Sequence, residues 1–297
     1  MSTVQTWIDG TRKNLLSSFA EARNKLAAPY TAGSGQLTFQ YQLNGIQAGS
    51  VISCGLNTFY VYQVNGQVAT VDAGIDNSYD VNLSTGAVVR VNPRFPDADI
   101  YQALAFDLAD LQSPLNGLFG IATADLTYNA YLSGYDLGSL VTNMFDIFEI
   151  KYTTPGPFHD NPRLPKDLWD IKRNTVSSIS PSGLSLELRT GITPGYNLHV
   201  VYKTKLVMPP NVTDSLDLVG LQPSAYDLPP LGAAIRLMAG REIKRNFTEN
   251  QGENRRPTEV PPGAVMQSSN QLQMLRRSRI NDEAAALSIQ YQPYWNE

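Results

Sequence analysis

Residues 90–111 read RVNPRFPDADIYQALAFDLADL and lie between two stretches with strand character. Asp97 or Asp99, following Pro96, supplies an N-cap, and Ile100, Leu104, Leu108 and Leu111 recur at helical spacing on one face. A single helix of this length is marginal in water, so it must dock on a partner that the rest of the chain supplies.

Working outward, Val4, Trp7, Ile8, Leu15, Phe19, Ala22 and Leu26 follow Ser2 or Thr3 at mixed three and four spacing, which predicts an N-terminal helix over 2–27 with Gly10 as its weak point. APYTAGSGQ breaks it, and LTFQYQL (37–43) alternates Leu37, Phe39, Tyr41 and Leu43 against polar neighbours as a half-buried strand. TFYVYQVNGQVATVDA (58–73) predicts a hairpin turning at Asn65-Gly66, a pair suited to a type I′ turn. YDVNLSTGAVVRVNP predicts a second hairpin around Ser84-Thr85-Gly86. These strands make a small β domain over 36–95, a barrel or hairpin unit.

Beyond the central helix, IATADLTYNAYL, MFDIFEIKYTT, WDIKRNTVSSI, GLSLELRT and YNLHVVYKTKLVM are separated by breaker-rich loops, the pattern of a β-sandwich-like domain over 118–208. The period then changes: LPPLGAAIRLMAGREIKRN places Leu231, Ile235, Met238 and Glu242 on one stripe, and a last helix over 263–287 carries Val265, Leu272, Leu275, Ile280, Ala284 and Leu287. SIQYQPYWNE (288–297) follows as an extended tail. The expected fold class is α+β: a helical body from segments 1–30, 97–112 and 228–287, with two antiparallel β domains inserted between them.

The formal charge of −4 and the hydrophobic fraction of 42% describe a folded chain with no general attraction to phosphate backbones. One cysteine, Cys54, excludes an internal disulfide framework and reads as a small buried hydrophobe. MSTVQTWIDGTRKNLL has no apolar signal region, and no window approaches a membrane span, so neither export by a signal peptide nor membrane anchoring is expected. Phosphate-binding, dinucleotide, nucleophile-elbow, zincin and EF-hand spacings do not occur. His199 sits in a strand alternation. His159 and Asp160 occupy a Pro-rich loop where Asp146 or Asp170 could complete a metal cluster, but the spacing does not single one out. Asp107 with Asp110, and Asp282 with Glu283, read as solvated helix positions. Neither a catalytic site, a metal site nor a cofactor is expected.

Basic residues concentrate in the last quarter: Arg236, Arg241, Lys244, Arg245, Arg255, Arg256, Arg276, Arg277 and Arg279. The candidate partner-binding residues are Arg241, Lys244, Arg245, Arg276, Arg277 and Arg279, as a basic surface, with Tyr291, Tyr294 and Trp295 in the tail. The 15 tyrosines and the aromatic strands also suit a β-sandwich carbohydrate- or receptor-binding module, which requires an exposed aromatic platform.

The segments VNPRFPDADIYQALAFDLADL with SPLNGLF, LPPLGAAIRLMAGREIKRN, and MLRRSRINDEAAAL with its tail, in this order, resemble head-to-tail connector (adaptor or neck) proteins of tailed double-stranded DNA bacteriophages. The resemblance implies a non-enzymatic virion protein, assembled in the host cytoplasm and located in the neck. It further implies a homo-oligomeric ring, a dodecamer in that family, which contacts portal and tail or neck proteins and lets DNA pass without specific binding. Residues 288–297 would be its docking arm, and the mildly acidic balance suits a channel along which DNA slides.

Overall fold

The computed structural model describes residues 2–16, 21–42, 45–73, 79–113, 115–129, 131–132, 134–138, 143–153, 163–176, 180–189, 197–249 and 264–290; for 145, 152–153, 239–249 and 264–268 it describes the backbone alone. The chain divides into two compact units, one of Met1–Asp110, Met208–Leu218 and Pro223–Asn281, the other of Leu111–Val207, Val219–Gln222 and Asp282–Glu297.

Helix α1 (Val4–Leu16) opens the first unit. Six strands follow: β1 (Arg23–Lys25), β2 (Gln36–Thr38), β3 (Val51–Cys54), β4 (Asn57–Asn65), β5 (Val68–Ala73) and β6 (Val88–Val91). They form one antiparallel sheet in the order β1-β6-β3-β4-β5-β2. It curls into a half-barrel, and its outer strands meet at the bridge Leu26–Phe39, where Ala27 N–H donates to the Thr38 carbonyl and Gln40 N–H to the Lys25 carbonyl, both at 2.8 Å. Meeting edges leave little unpaired backbone to attract other strands. Inside lie Leu26, Leu37, Phe39, Ile52, Phe59, Val61, Ala69 and Val89, with Tyr30 edge-on to Phe59 at 5.0 Å.

Two local expectations shift in detail. The β4–β5 turn is Gly66-Gln67, because Asn65 pairs with Val68; only Gly66 takes positive φ (60°), the pattern of a type II′ turn rather than I′. Gly86 does turn the chain, but Leu83 and β6 pair with Tyr30 and β1 instead of with each other. No hairpin forms there.

Helix α2 (Asp97–Leu111) buries Ile100, Leu104, Leu108 and Leu111 completely or nearly so, as its periodicity requires. Helix α3 (Leu228–Glu249) buries Leu228, Gly232, Ala233 and Ala234, while Leu231, Ile235 and Met238 are only half-buried. Its small residues allow close approach: Gly10 of α1 lies against Pro230, where an added Cβ would sit 3.7 Å from the ring, and Trp7 meets Tyr226 edge-on at 5.7 Å. Helix α4 spans Ala264–Gln290.

The second unit holds β7 (Gly120–Thr127), β8 (Gly134–Asp136), β9 (Met144–Thr153), β10 (Trp169–Arg173), β11 (Leu184–Leu188) and β12 (Asn197–Thr204). They make two three-stranded antiparallel sheets, β10-β11-β8 and β7-β12-β9. Both contribute to one core, with Tyr135, Trp169 and Leu186 from the first sheet against Leu126, Ile150, Leu198 and Val200 from the second. The five strands expected here occur, joined by the three-residue β8, which is too short to leave a periodic signal.

The expected fold class is therefore corrected. Among the described residues the protein is mostly β, with antiparallel sheets of six, three and three strands and four α-helices, and it is not a helical body with inserted β domains. The physical reason lies in the two strand-built cores. Pairing long-range strands buries Phe39, Phe59, Trp169 and their neighbours without helical help, and segments that looked helical, such as Arg23–Lys25, are recruited as strands by their partners. Phe39→Ala, at the meeting edges of the half-barrel, should lower stability by about 3–5 kcal/mol in urea unfolding; a loss under about 1 kcal/mol would show that the contact between the edges does not hold the sheet.

Candidate functional site

Three helices converge on one carboxylate. Asp107 projects from α2 and is 1% exposed in its side chain; Arg276 of α4 donates through Nη2 to Asp107 Oδ1 at 2.8 Å and to Asp110 Oδ2 at 2.9 Å. Arg236 of α3 adds ion pairs to Asp107 and Asp110, each at 3.7 Å. The carboxylate lies over Gly232, where any Cβ would collide with it, so glycine at that point of α3 is a packing requirement. Burial pushes the Asp107 carboxyl up to about 6, against the lowering pull of Arg276 and then Arg236.

These contacts revise the basic surface. Arg276 is tied down by α2, and Arg279 donates to both Asp227 oxygens (3.1 and 3.2 Å) and to the Ser224 carbonyl at 2.9 Å. Arg277 is exposed on α4. Arg241, Lys244 and Arg245 belong to α3, but their side chains lie outside the described residues, as do Arg255, Arg256, Tyr291, Tyr294 and Trp295 altogether. Asp107 and Asp110 are not a free solvated pair: they are the acidic half of a clasp whose basic half comes from two other helices.

A second charged cluster had no local signal. Arg12 of α1 donates to Asp97 Oδ1 at 2.6 Å and to the Phe95 carbonyl at 2.8 Å, with its Nε 3.2 Å from Glu21. Arg90 of β6 lies 3.7 Å from Asp97, 3.9 Å from Glu21 and 3.3 Å from Asp9. The Asp97 backbone N–H donates to Ser53 Oγ of β3 at 3.1 Å. Asp97 thus serves as an internal counter-ion at the start of α2, and burial raises its pKa despite Arg12 and Arg90.

Elsewhere, His199 Nδ1 lies 2.7 Å from Asp125 on the charged outer face of the β7-β12-β9 sheet, where Lys151 stands in register beside it. Ser182, and then Ser180, donate to Asp136 and lower its pKa. His159 and Asp160 lie outside the described residues. Among the described residues no group of three or more His, Cys, Asp or Glu side chains is placed to hold a metal ion, and no helix is long and apolar enough to cross a membrane. Cys54 is buried beneath the sheet, and burial, then Asp97, pushes its thiol up to about 12.

The outer surface offers two kinds of contact. On α4, Met274 (76% exposed), Leu275 and Ile289 project from the helix into solvent. On β4, a bulge between Val61 and Gln63 leaves Tyr62 and Gln63 both exposed; Tyr62 packs edge-on to Tyr60 at 5.2 Å and donates to Asp72 at 3.3 Å, and the negative charge of Asp72 raises the Tyr62 phenol's pKa. No family model matches the chain, and no curated protein is similar to it.

Asp107 gives a pH prediction. Its folded value lies above its unfolded one, so the stabilisation linked to its proton is complete below about pH 4 and is lost as pH rises through about 6. The stability of the native protein relative to Asp107→Asn should therefore fall, by on the order of 2 kcal/mol, between about pH 4 and pH 7. Urea midpoints across that range check it; a flat difference would place Asp107 at an ordinary carboxyl value.

Proposed function

We propose that this chain is a non-enzymatic structural virion protein of the head-to-tail connector kind, forming a ring that joins portal to tail or neck proteins around the DNA channel. The reading rests on the order of the sequence segments. The observation that carries it furthest is the surface of α4, whose Met274, Leu275 and Ile289 are held out to solvent although Ile280 and Leu287 of the same helix are buried. Exposed apolar side chains at these three positions, among polar neighbours, suit contact with another chain. The aromatic segment with Tyr291, Tyr294 and Trp295 follows that helix directly and acts as the docking arm. The basic residues contribute less than their number suggests: Arg276 and Arg279 hold the chain's own carboxylates, which leaves Arg277, Arg241, Lys244 and Arg245 as candidates for acidic partner surfaces. Net negative charge suits passage of DNA without capture.

The cluster of exposed Tyr62 and Asp72 with half-buried Tyr60 favours a second reading, a carbohydrate- or receptor-binding virion protein, because aromatic faces beside a carboxylate suit sugar rings and their hydroxyls.

Sedimentation of the purified chain, alone and mixed with the portal protein of the same virion, separates the two. The connector reading predicts a closed oligomer, a multiple of 32.7 kDa, at least in the presence of portal, and its loss on removal of residues 288–297. A chain that stays monomeric with portal and instead sediments with host-cell envelopes, losing that property in Tyr62→Ala, would overturn it in favour of the second reading.

A further inference from the structure

The clasp on Asp107 holds a cation in reserve. Its members, Asp107, Asp110, Arg236 and Arg276, all belong to the first unit, as do Asp227 and Arg279. Arg276 of α4 makes the close contacts, 2.8 Å to Asp107 and 2.9 Å to Asp110. Arg236 of α3 stands 3.7 Å from the same two carboxylates, its side chain 43% exposed against 15% for Arg276. Two arginines face one pair of acids, and Arg276 alone is at hydrogen-bonding distance from both.

The rest of the hold on this part of α4 is slight. Among residues 269–281, Ile280 is the fully buried apolar side chain, Leu272 is half-buried, and Met274 and Leu275 are exposed. Arg279 adds its contacts with Asp227 and Ser224, but Arg279 and Asp227 are both partly open to water, and such pairs hold weakly. The closed arrangement also carries a penalty. Asp107 Oδ2 and Arg276 Nε are buried with no hydrogen-bond partner among the described residues, and lifting α4 lets water reach both. Asp107 itself need not move, because its carboxylate is seated over Gly232 of α3, a contact that does not involve α4.

We propose that residues 271–281 of α4 form an electrostatic latch that opens by an exchange of arginines: as Arg276 leaves, Arg236 closes on Asp107 and Asp110. Breaking a buried ion pair is costly because one charge is left uncompensated, and the exchange removes that cost. The opened segment is too short to stay helical without docking, so its amides become exchangeable. Opening also releases Arg276 and Arg279 beside the already exposed Arg277, three cations within four residues. The closed latch thus stores a basic surface that the switch delivers. It operates in the isolated chain, whatever that chain assembles with.

Hydrogen exchange on the full-length chain, read by mass spectrometry, tests the latch. Amides of residues 271–281 should exchange at least tenfold faster than the most protected amides of β4, whose buried side chains open only with the whole unit. The deciding variant is Arg236→Gln, at a side chain open enough to water to leave the fold intact. If Arg236 receives the carboxylates, its loss makes opening rarer, and exchange of 271–281 should slow at least threefold relative to β4. An arginine that only supports the closed clasp gives the opposite sign, so faster or unchanged exchange in this variant overturns the proposal. Exchange of 271–281 no faster than β4 in the native chain overturns it as well. Arg276→Gln weakens the closed arrangement alone and should speed the same amides at least tenfold; an unchanged rate there would show that Arg276 does not hold the latch, and the proposal falls.

Discussion

The first unit is organised around two buried arginines and the carboxylates that neutralise them. Arg12 and Arg90 are each less than a tenth exposed in their side chains, as are Glu21 and Asp97. Removing such ions from water costs several kcal/mol each, recovered only when opposite charges and hydrogen bonds surround them. Here the recovery is uneven. Arg12 Nη2 is well bonded to Asp97 and to the Phe95 carbonyl, whereas Arg12 Nη1 and Arg90 Nη1 have no hydrogen-bond partner among the described residues and the Arg12 Nε–H is not aligned on Glu21. The cluster therefore adds more to specificity than to stability. It admits one arrangement of α1, the segment before β1, β6 and the first turn of α2, since any other leaves a charge buried alone.

That constraint explains the short helix between two strand-bearing regions. α2 is held at its start by Asp97, which is tied to α1 through Arg12 and to β3 through Ser53, and further along by Asp107, which is tied to α3 and α4. Its apolar stripe supplies the burial, and its two inward carboxylates supply the address. A helix with the same leucines but neutral residues at 97 and 107 would keep the hydrophobic drive and lose the reason to sit in one orientation.

What was legible in the sequence followed local periodicity. Ile100, Leu104, Leu108 and Leu111 define a face that no other conformation satisfies, and β4, β5, β9 and β12 carry β-branched and aromatic runs long enough to stand out. What was not legible depended on partners far along the chain. β1 is Arg-Asn-Lys, a poor strand by composition, and becomes one because β6 and the bridge to Phe39 lie on either side of it. Asp107 looks like a surface acid until Arg276, 169 residues away, is brought to it. Helix α3 packs most closely through Leu228, Gly232, Ala233 and Ala234, not through the half-buried Leu231, Ile235 and Met238, because glycine and alanine make contact by close approach rather than by side-chain volume. For the candidate site, the clustering of arginines was visible, but not that the protein's own carboxylates occupy Arg276 and Arg279, which lie far from them in sequence.

The pairing of Arg12 with Asp97 is measured most directly by a double-mutant cycle in urea unfolding, with Arg12→Met, Asp97→Asn and the two combined. Each single change should cost about 3–5 kcal/mol, because it strands the remaining buried charge, and the combination should cost well below the sum, with a coupling above about 1 kcal/mol. Additive costs, with a coupling indistinguishable from zero, would show that the two residues stabilise the unit independently and that the buried pair does not organise it.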